Sequence, residues 1–221
     1  MKCATVMVGM LVMLGGCAAS SSEAPRTGGG VEVQRALSDE PEAWVQRGGD
    51  AVYTFADGQI IGQTRPNQPN SFLCTKREYG DFELTLEFKV DDALNSGVQI
   101  RSQARAEGTR ERVYGYQVDI DPSPRRWTGG IYDEGRRGWI APLAGQPEAM
   151  GAFKPGQWNT MRVVCEGARL RTWINGVACA DLTDGMTSRG FVALQVHGVG
   201  GKTQVMEVRW RSVRIREIPG A

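Results

Sequence analysis

Phe82-Glu83-Leu84-Thr85-Leu86-Glu87-Phe88-Lys89-Val90 alternates apolar and polar side chains without a break. Side chains on an extended backbone point to opposite faces in turn. Phe82, Leu84, Leu86, Phe88 and Val90 therefore share one face, and Glu83, Thr85, Glu87 and Lys89 the other. That pattern predicts a strand of an antiparallel sheet, packed on one side and wet on the other. Downstream, Leu170-Arg-Thr-Trp-Ile174 is joined to Val177 by Asn175-Gly176, a pair that accepts the two positive φ angles of a type I′ hairpin turn. Further strands are predicted at 97–101, 116–121, 158–166, 191–197 and 205–218. The last is long enough to need a bulge or break near Arg211-Ser212. Gly80, Pro122, Pro124, Gly129-Gly130, Pro155-Gly156 and Gly200-Gly201 punctuate the gaps. One short helix is predicted at 39–46, with Ser38 as its cap. The stretch 127–139 reads as a loop. There is no βαβ alternation and no internal repeat, so the chain reads as all-β: a jelly-roll sandwich of two antiparallel sheets.

Composition agrees. The chain has 221 residues, 41% of them hydrophobic and 29 of them Gly, without a collagen period. That means one packed core and many tight turns. Lys2 is the only charge among the first 16 residues, so their removal leaves 25 basic and 25 acidic side chains. A neutral chain with scattered charge is not built to grip phosphate backbones, which excludes nucleic acid as the expected partner. One His excludes any metal site that needs two or more imidazoles.

The first residues read as an address. Lys2 precedes an apolar run, Ala4 to Leu14, too short to span a bilayer as a helix. Leu14-Gly15-Gly16-Cys17 resembles the lipobox of bacterial lipoproteins, which implies cleavage before Cys17 and lipidation of that residue. Several acyl chains make a stable anchor. Ala18 rather than Asp after the Cys favours the outer over the inner membrane of the cell envelope. The expected layout is a signal peptide over 1–16, a lipidated Cys and tether over 17–38 (including SSSEAPRTGGG, 20–30), and one domain over 39–218. Cys74, Cys165 and Cys179 remain in that domain, an odd number. They read as small buried hydrophobes, with a Cys165–Cys179 bridge as the alternative.

Chemistry is expected where strands spend a face on unusual polar groups. If Val98 and Ile100 point to the core, Asn95, Gln99 and Arg101 share the opposite face. By the same rule Gln117, Asp119 and Asp121 lie opposite Tyr116, Val118 and Ile120, and Gln195 and His197 lie opposite Val192, Leu194 and Val196. Planar amides, carboxylates, Arg and His suit sugar hydroxyls, which want a donor and an acceptor together. Tyr132, Glu134, Arg137 and Trp139 add an aromatic and charged loop of the kind that lines sugar sites.

Six elements in order then resemble a family. They are Asn95-Ser96-Gly97 ending at Arg101, Gly115-Tyr116-Gln117-Val118-Asp119, Gly129-Gly130-Ile131-Tyr132-Asp133, Gly156-Gln157-Trp158-Asn159, Trp173-Ile174-Asn175-Gly176 and Leu194-Gln195-Val196-His197. Together they are similar to the 3-keto-disaccharide hydrolase domain, also described as 3-keto-glucoside 1,2-lyase and 3-keto-2-hydroxy-glucal hydratase. The resemblance runs from about Trp44 to Ile218 and implies a concanavalin-like jelly roll. Many members have Glu at the position of Gln117 and Gln at that of Asp119, so here the carboxylate stands two residues further along the same face.

The chemistry so implied is elimination. A ketone on a sugar's third carbon acidifies the hydrogen on the second; a base removes it, the glycosidic oxygen leaves, and water adds back. His197 is the expected base, Asp119 the alternative base or its orienting partner, and Arg101 the cation for the developing oxyanion. Asp121, Tyr132 and Glu134 are the acid candidates. A divalent metal held by carboxylate and amide oxygens is compatible with the same set. Other readings stand beside this one: a non-catalytic carbohydrate-binding module, a structural envelope lipoprotein, and a conventional retaining glycosidase. The last needs two carboxylates about 5 Å apart, and Gln117 stands where its nucleophile would be.

Overall fold

The computed structural model describes Met1 and residues 36–219; Cys17, the signal and most of the tether lie outside them. Among the described residues fourteen strands follow in chain order: β1 (Trp44–Gly48), β2 (Val52–Ala56), β3 (Gln59–Gln63), β4 (Ser71–Tyr79), β5 (Phe82–Val90), β6 (Ser96–Glu107), β7 (Arg110–Ile120), β8 (Ile131–Glu134), β9 (Gly138–Ala141), β10 (Asn159–Glu166), β11 (Arg169–Ile174), β12 (Val177–Thr183), β13 (Gly190–Val196) and β14 (Glu207–Glu217). A single helical turn, α1 (Pro147–Met150), interrupts them. The strands form two antiparallel seven-stranded sheets. Sheet A runs β1-β4-β13-β6-β7-β8-β9 and sheet B runs β12-β11-β10-β5-β14-β3-β2.

The alternation of β5 is realised as predicted: Phe82, Leu84, Leu86, Phe88 and Val90 are all buried. They pack in one core with Val98, Ile100, Val118, Ile120, Leu194 and Val196 of sheet A. Each large apolar side chain so hidden contributes about 1.5–3 kcal/mol. Asn175 and Gly176 take φ of 50° and 82°, as the predicted turn requires. The break in β14 is also present: its pairing with β5 shifts between Arg211 and Arg214, and Ser212 has φ 53°.

Two expectations are corrected. The predicted helix at 39–46 does not form. Two 3-10 turns, Leu37–Asp39 and Pro41–Ala43, lead directly into β1, and Ser38 makes no capping bond. Pro41 is the cause, since it keeps the preceding residue out of helical geometry, and Glu40 sits at φ −126°, ψ 74°. Packing also begins earlier than 39: Ala36 and Ser38 are buried, and Trp44 Nε1 donates to the Leu37 carbonyl at 2.9 Å. Second, 127–139 is no plain loop, because β8 and β9 form a hairpin at the edge of sheet A with Tyr132 opposite Trp139. Cys74, Cys165 and Cys179 are all free and buried, as their reading as small buried hydrophobes expected. β11 stands between the strands carrying Cys165 and Cys179, which separates their backbones by about 10 Å, beyond disulfide reach.

The β6–β7 hairpin is longer than its neighbours. A bulge lies between Ile100 and Gln103, and Gly115 opposite it has φ 136°. Beyond this point the hairpin arm folds back across the outer face of sheet A. Its Val113 packs with Phe72, Cys74, Phe191 and Ala193 in a second apolar cluster. Its tip reaches β1, four places away in the sheet, through the Arg47–Glu111 pair and through Arg110, which donates to the Gly48 carbonyl and pairs with Asp50 at 3.0 Å. The arm thus roofs one half of the outer face and leaves the other half open.

Candidate active site

β13, β6 and β7 lie side by side, so their polar positions meet on that open half. Cross-strand register sets Gln195, Gly97 and Asp119 in one row. It sets Ala193, Gln99, Gln117, Tyr132 and Trp139 in the next. Gly97 is required here: a Cβ on it would stand 2.5 Å from Gln117 Cδ, so the Gln117 side chain occupies the space its absence leaves. From there Gln117 Nε2 donates to Asp119 Oδ1 at 3.1 Å. The chain continues backwards: Ser102 Oγ donates to Gln99 Oε1 at 2.6 Å, and Gln99 Nε2 donates to Gln117 Oε1 at 2.7 Å. Asn95 Nδ2 donates to Asp119 Oδ2 at 3.3 Å. A run of amides therefore fixes the carboxylate from behind.

Above it lies a cleft of about 720 Å³. Asn95, Gln117, Asp119, Asp121 and His197, expected on one strand face, line it together with Tyr132, Glu134 and Trp139, expected on a loop. Burial, reinforced by the charge of Asp121, pushes the Asp119 carboxyl up to about 7. Burial also raises Glu134, against the opposing pull of Arg112 and Asn70. Asp121 goes the other way: against the cost of burial, hydrogen bonds from Ser123, Arg125 and Trp127 hold it below the usual carboxylate range. His197 sits one residue past β13, with Nδ1 2.8 Å from the Gly198 carbonyl. A carbonyl can only accept, so Nδ1 carries a hydrogen and Nε2 is left to face other partners.

Four expected residues do not reach the cleft. Arg101 is the clearest correction. The bulge gives it φ 46° and turns its side chain off the polar face. Its guanidinium donates at 2.7 Å each to the Gly80 carbonyl, the Gly167 carbonyl and Asp81 Oδ1, tying sheet A to two turns of sheet B. Arg137 bonds Asp133 and Asp184 instead. Gln99 is buried behind Gln117. Gln195 is fully buried, and neither polar atom of its amide has a partner.

Three lining residues were not anticipated from the sequence: Asn70, Ser123 and Arg125. Arg125 follows β7 in the 121–127 loop. Its Nε donates to Asp121 Oδ2 at 2.8 Å, and Nη2 lies 3.9 Å from Asp119 Oδ2. It is held between the faces of Trp127 and Trp139, at 5.0 and 4.8 Å from their ring centres. The cationic place expected of Arg101 is therefore filled by Arg125. Its spacing of four from Asp121 and two from Trp127 was the available signal. Asn70, just before β4, accepts from the Gly198 N–H at 2.9 Å and so steadies the His197 turn.

The oxygens that would hold a divalent metal are engaged elsewhere: those of Asp119 by Gln117 and Asn95, those of Asp121 by Ser123, Arg125 and Trp127. Among the described residues no three His, Cys, Asp or Glu side chains converge as ligands.

The fold is shared with known structures. Carbohydrate-binding module CBM66 from Bacillus subtilis is 14% identical with a TM-score of 0.57, covering 79% of this chain and 96% of that one. A putative glycosyl hydrolase from Parabacteroides distasonis is 16% identical at 0.56, covering 80% and 89%. A Bacillus subtilis protein of unknown function with a galectin-like fold is 9% identical at 0.59, covering 80% and 90%. At such identities the likeness is one of fold: a galectin-like, concanavalin-type sandwich. No curated protein matches the sequence. The model of the 3-keto-alpha-glucoside-1,2-lyase-like domain matches residues 35–216, nearly all of the described chain, and the cleft lies within it. The chain belongs to the 3-keto-alpha-glucoside-1,2-lyase-like domain family.

Proposed function

We propose that the chain cleaves 3-keto-glycosides by elimination followed by hydration, a net hydrolysis. The observation that carries this reading is Asp119, a buried carboxyl raised to about 7 beside the Arg125 guanidinium. A base poised near neutrality is what removal of a hydrogen next to a ketone needs. Asp119 takes the hydrogen from the sugar's second carbon, and Arg125 faces the oxyanion that develops on the third. The bond from the first carbon to the glycosidic oxygen breaks as a double bond forms between the first and second. Glu134, whose carboxyl burial raises, gives its proton to the leaving oxygen. Water then adds to the first carbon and a proton returns to the second; His197 Nε2 activates that water. The sequence ranked His197 ahead of Asp119 as the base; the raised Asp119 carboxyl beside Arg125 supports the reverse order.

Envelope location through a lipid on Cys17, in the outer membrane, belongs to the same proposal and rests on the sequence of residues 1–18 alone. The test is product analysis after incubation with a 3-keto-disaccharide and, separately, with its unoxidised parent. Cleavage of the first and not the second is expected. Equal cleavage of both contradicts the elimination, and sugar binding without turnover of any 3-keto-glycoside assigns the chain to non-catalytic binding.

A further inference from the structure

The outer face of sheet B lies on the opposite side of the sandwich from the cleft. β14 buries Val208, Trp210, Val213 and Ile215 in the core, so Arg209, Arg211, Arg214 and Arg216 point outward. Cross-strand register sets Trp173, Arg162, Thr85 and Arg214 in one row without an acid. Along this row, at the break in β14, lies a hollow of about 530 Å³ lined also by Thr160, Glu87 and Ser212. We infer that this face docks on the anionic phospholipid surface of the membrane that holds the Cys17 lipid, which turns the cleft away from the bilayer. The inference goes beyond the cleavage chemistry and rests on the lipid anchor proposed above.

The charge count comes first. Glu83 answers both Arg162 and Arg216, Glu87 answers Arg211, and Glu207 answers Arg209. On the flanking strands Glu166 answers Arg171 and Asp181 answers Arg169. With Lys89 and Arg214 the face holds eight cations against five acids, on a chain that is neutral once residues 1–16 are gone. Asp91 and Asp92 follow β5 at the Glu207 end, so the surplus gathers around the break. There Arg162, Arg211, Arg214 and Arg216 stand against Glu83 and Glu87. The lining then selects the ligand. Arg162 and Arg214, with the hydroxyls of Thr85, Thr160 and Ser212, are the donors a phosphate takes. Arg162 lies 4.4 Å from the Trp173 ring centre and Arg211 4.1 Å from that of Trp158. The arginines thus occupy the ring faces a sugar would need, while half-buried Trp rings and arginine stems suit the headgroup layer. The chain also enters the domain at this strand: the Leu37–Asp39 turn packs against β14 and β3, with Asp39 beside Gly58 of the β2–β3 turn. Residues 17–35 join Cys17 to that point, and a Gly- and Ser-rich chain of such length has its ends roughly 25 Å apart. At that range weak attraction by several cations is enough to orient the domain.

The test uses the full lipoprotein reconstituted in phosphatidylcholine vesicles with and without phosphatidylglycerol. Cys74, Cys165 and Cys179 are buried, so a dye reports from one introduced cysteine: Thr54→Cys, exposed on this face, or Thr109→Cys, at the tip of the hairpin arm on the other side. Energy transfer to a headgroup dye should be the stronger from Thr54→Cys, and only when phosphatidylglycerol is present. Adding Arg162→Gln and Arg214→Gln together should lower the docked-to-undocked ratio by at least about tenfold, at roughly fivefold for each cation near an anionic surface. Arg105→Gln with Arg189→Gln, on sheet A's side, should leave it unchanged. High salt should undock the wild type, a readout that does not depend on how well a variant folds. Equal transfer from the two positions, transfer insensitive to phosphatidylglycerol and salt, or equal losses in the two double variants overturns the inference. Mass spectrometry of the purified chain reads the anchor separately. A chain without acyl groups defeats the anchor, and its sedimentation with phosphatidylglycerol vesicles against phosphatidylcholine ones then decides the face alone.

Discussion

Asp119→Asn separates the charge of this carboxyl from its place in the amide chain. In the folded chain the group titrates near 7, against an ordinary 3.8, because burial and Asp121 disfavour its charge. Between those values the folded chain keeps a proton that the unfolded chain has released. Stability therefore falls as pH rises from about 4 to about 7, and the loss is complete above that range. The interval corresponds to at most roughly 4 kcal/mol at pH 8. Asn does not titrate. Its amide disrupts one hydrogen bond from Gln117 or Asn95, a cost of about 1–3 kcal/mol that is the same at every pH. Urea unfolding of both proteins at pH 4 and pH 8 isolates the charge, because the variant-minus-wild-type difference cancels groups the two share. Those include Glu83 and Glu87, which hydrogen bonds from Arg162 and Arg211 hold below the usual range. The difference should move by a few kcal/mol in the variant's favour from pH 4 to pH 8. An identical difference at both pH values would refute the assignment of a near-neutral titration to Asp119.

Two other perturbations bear on separate parts of the account. Arg101→Ala leaves Asp81 and two carbonyls without their guanidinium partner and should cost about 3–5 kcal/mol in urea unfolding. Arg101→Lys should recover part of that stability, with the turnover of the folded fraction near wild type; a stable but inactive lysine variant would return Arg101 to the chemistry. Cells labelled with a palmitate analogue should mark the wild-type chain and not Cys17→Ser, and equal labelling of both would remove the anchor.

The parts of the fold legible in the sequence are those where one periodicity acts alone. β5 has one wet and one dry face, so its alternation survives intact. β4 does not: the five residues from Ser71 to Thr75 are all buried, because the arm covers the outer face there, and the alternation is lost. β8 and β9 have four residues each, too few for a period to show. The site divides in the same way. Asn95, Gln117, Asp119 and His197 could be assigned to one face because two-residue spacing is rigid. Arg101 stands on that spacing too, but one bulge reverses its direction, and no local pattern announced the bulge. Arg125 lies on a loop, where no periodicity operates. Its role becomes visible only once Trp127 and Trp139 are brought together at a ring distance of 4.8 Å.

The central claim is that a hydrogen leaves the second carbon of the sugar before the glycosidic oxygen is lost for good. The direct measurement is mass and NMR analysis of the sugar released from a 3-keto-disaccharide in D2O, quenched early and compared with an enzyme-free control. The account predicts solvent deuterium at the second carbon of the keto sugar, or the unsaturated sugar itself, and neither in Asp119→Asn. Released sugar that keeps its original hydrogen at that carbon throughout, with no unsaturated sugar formed, would contradict it.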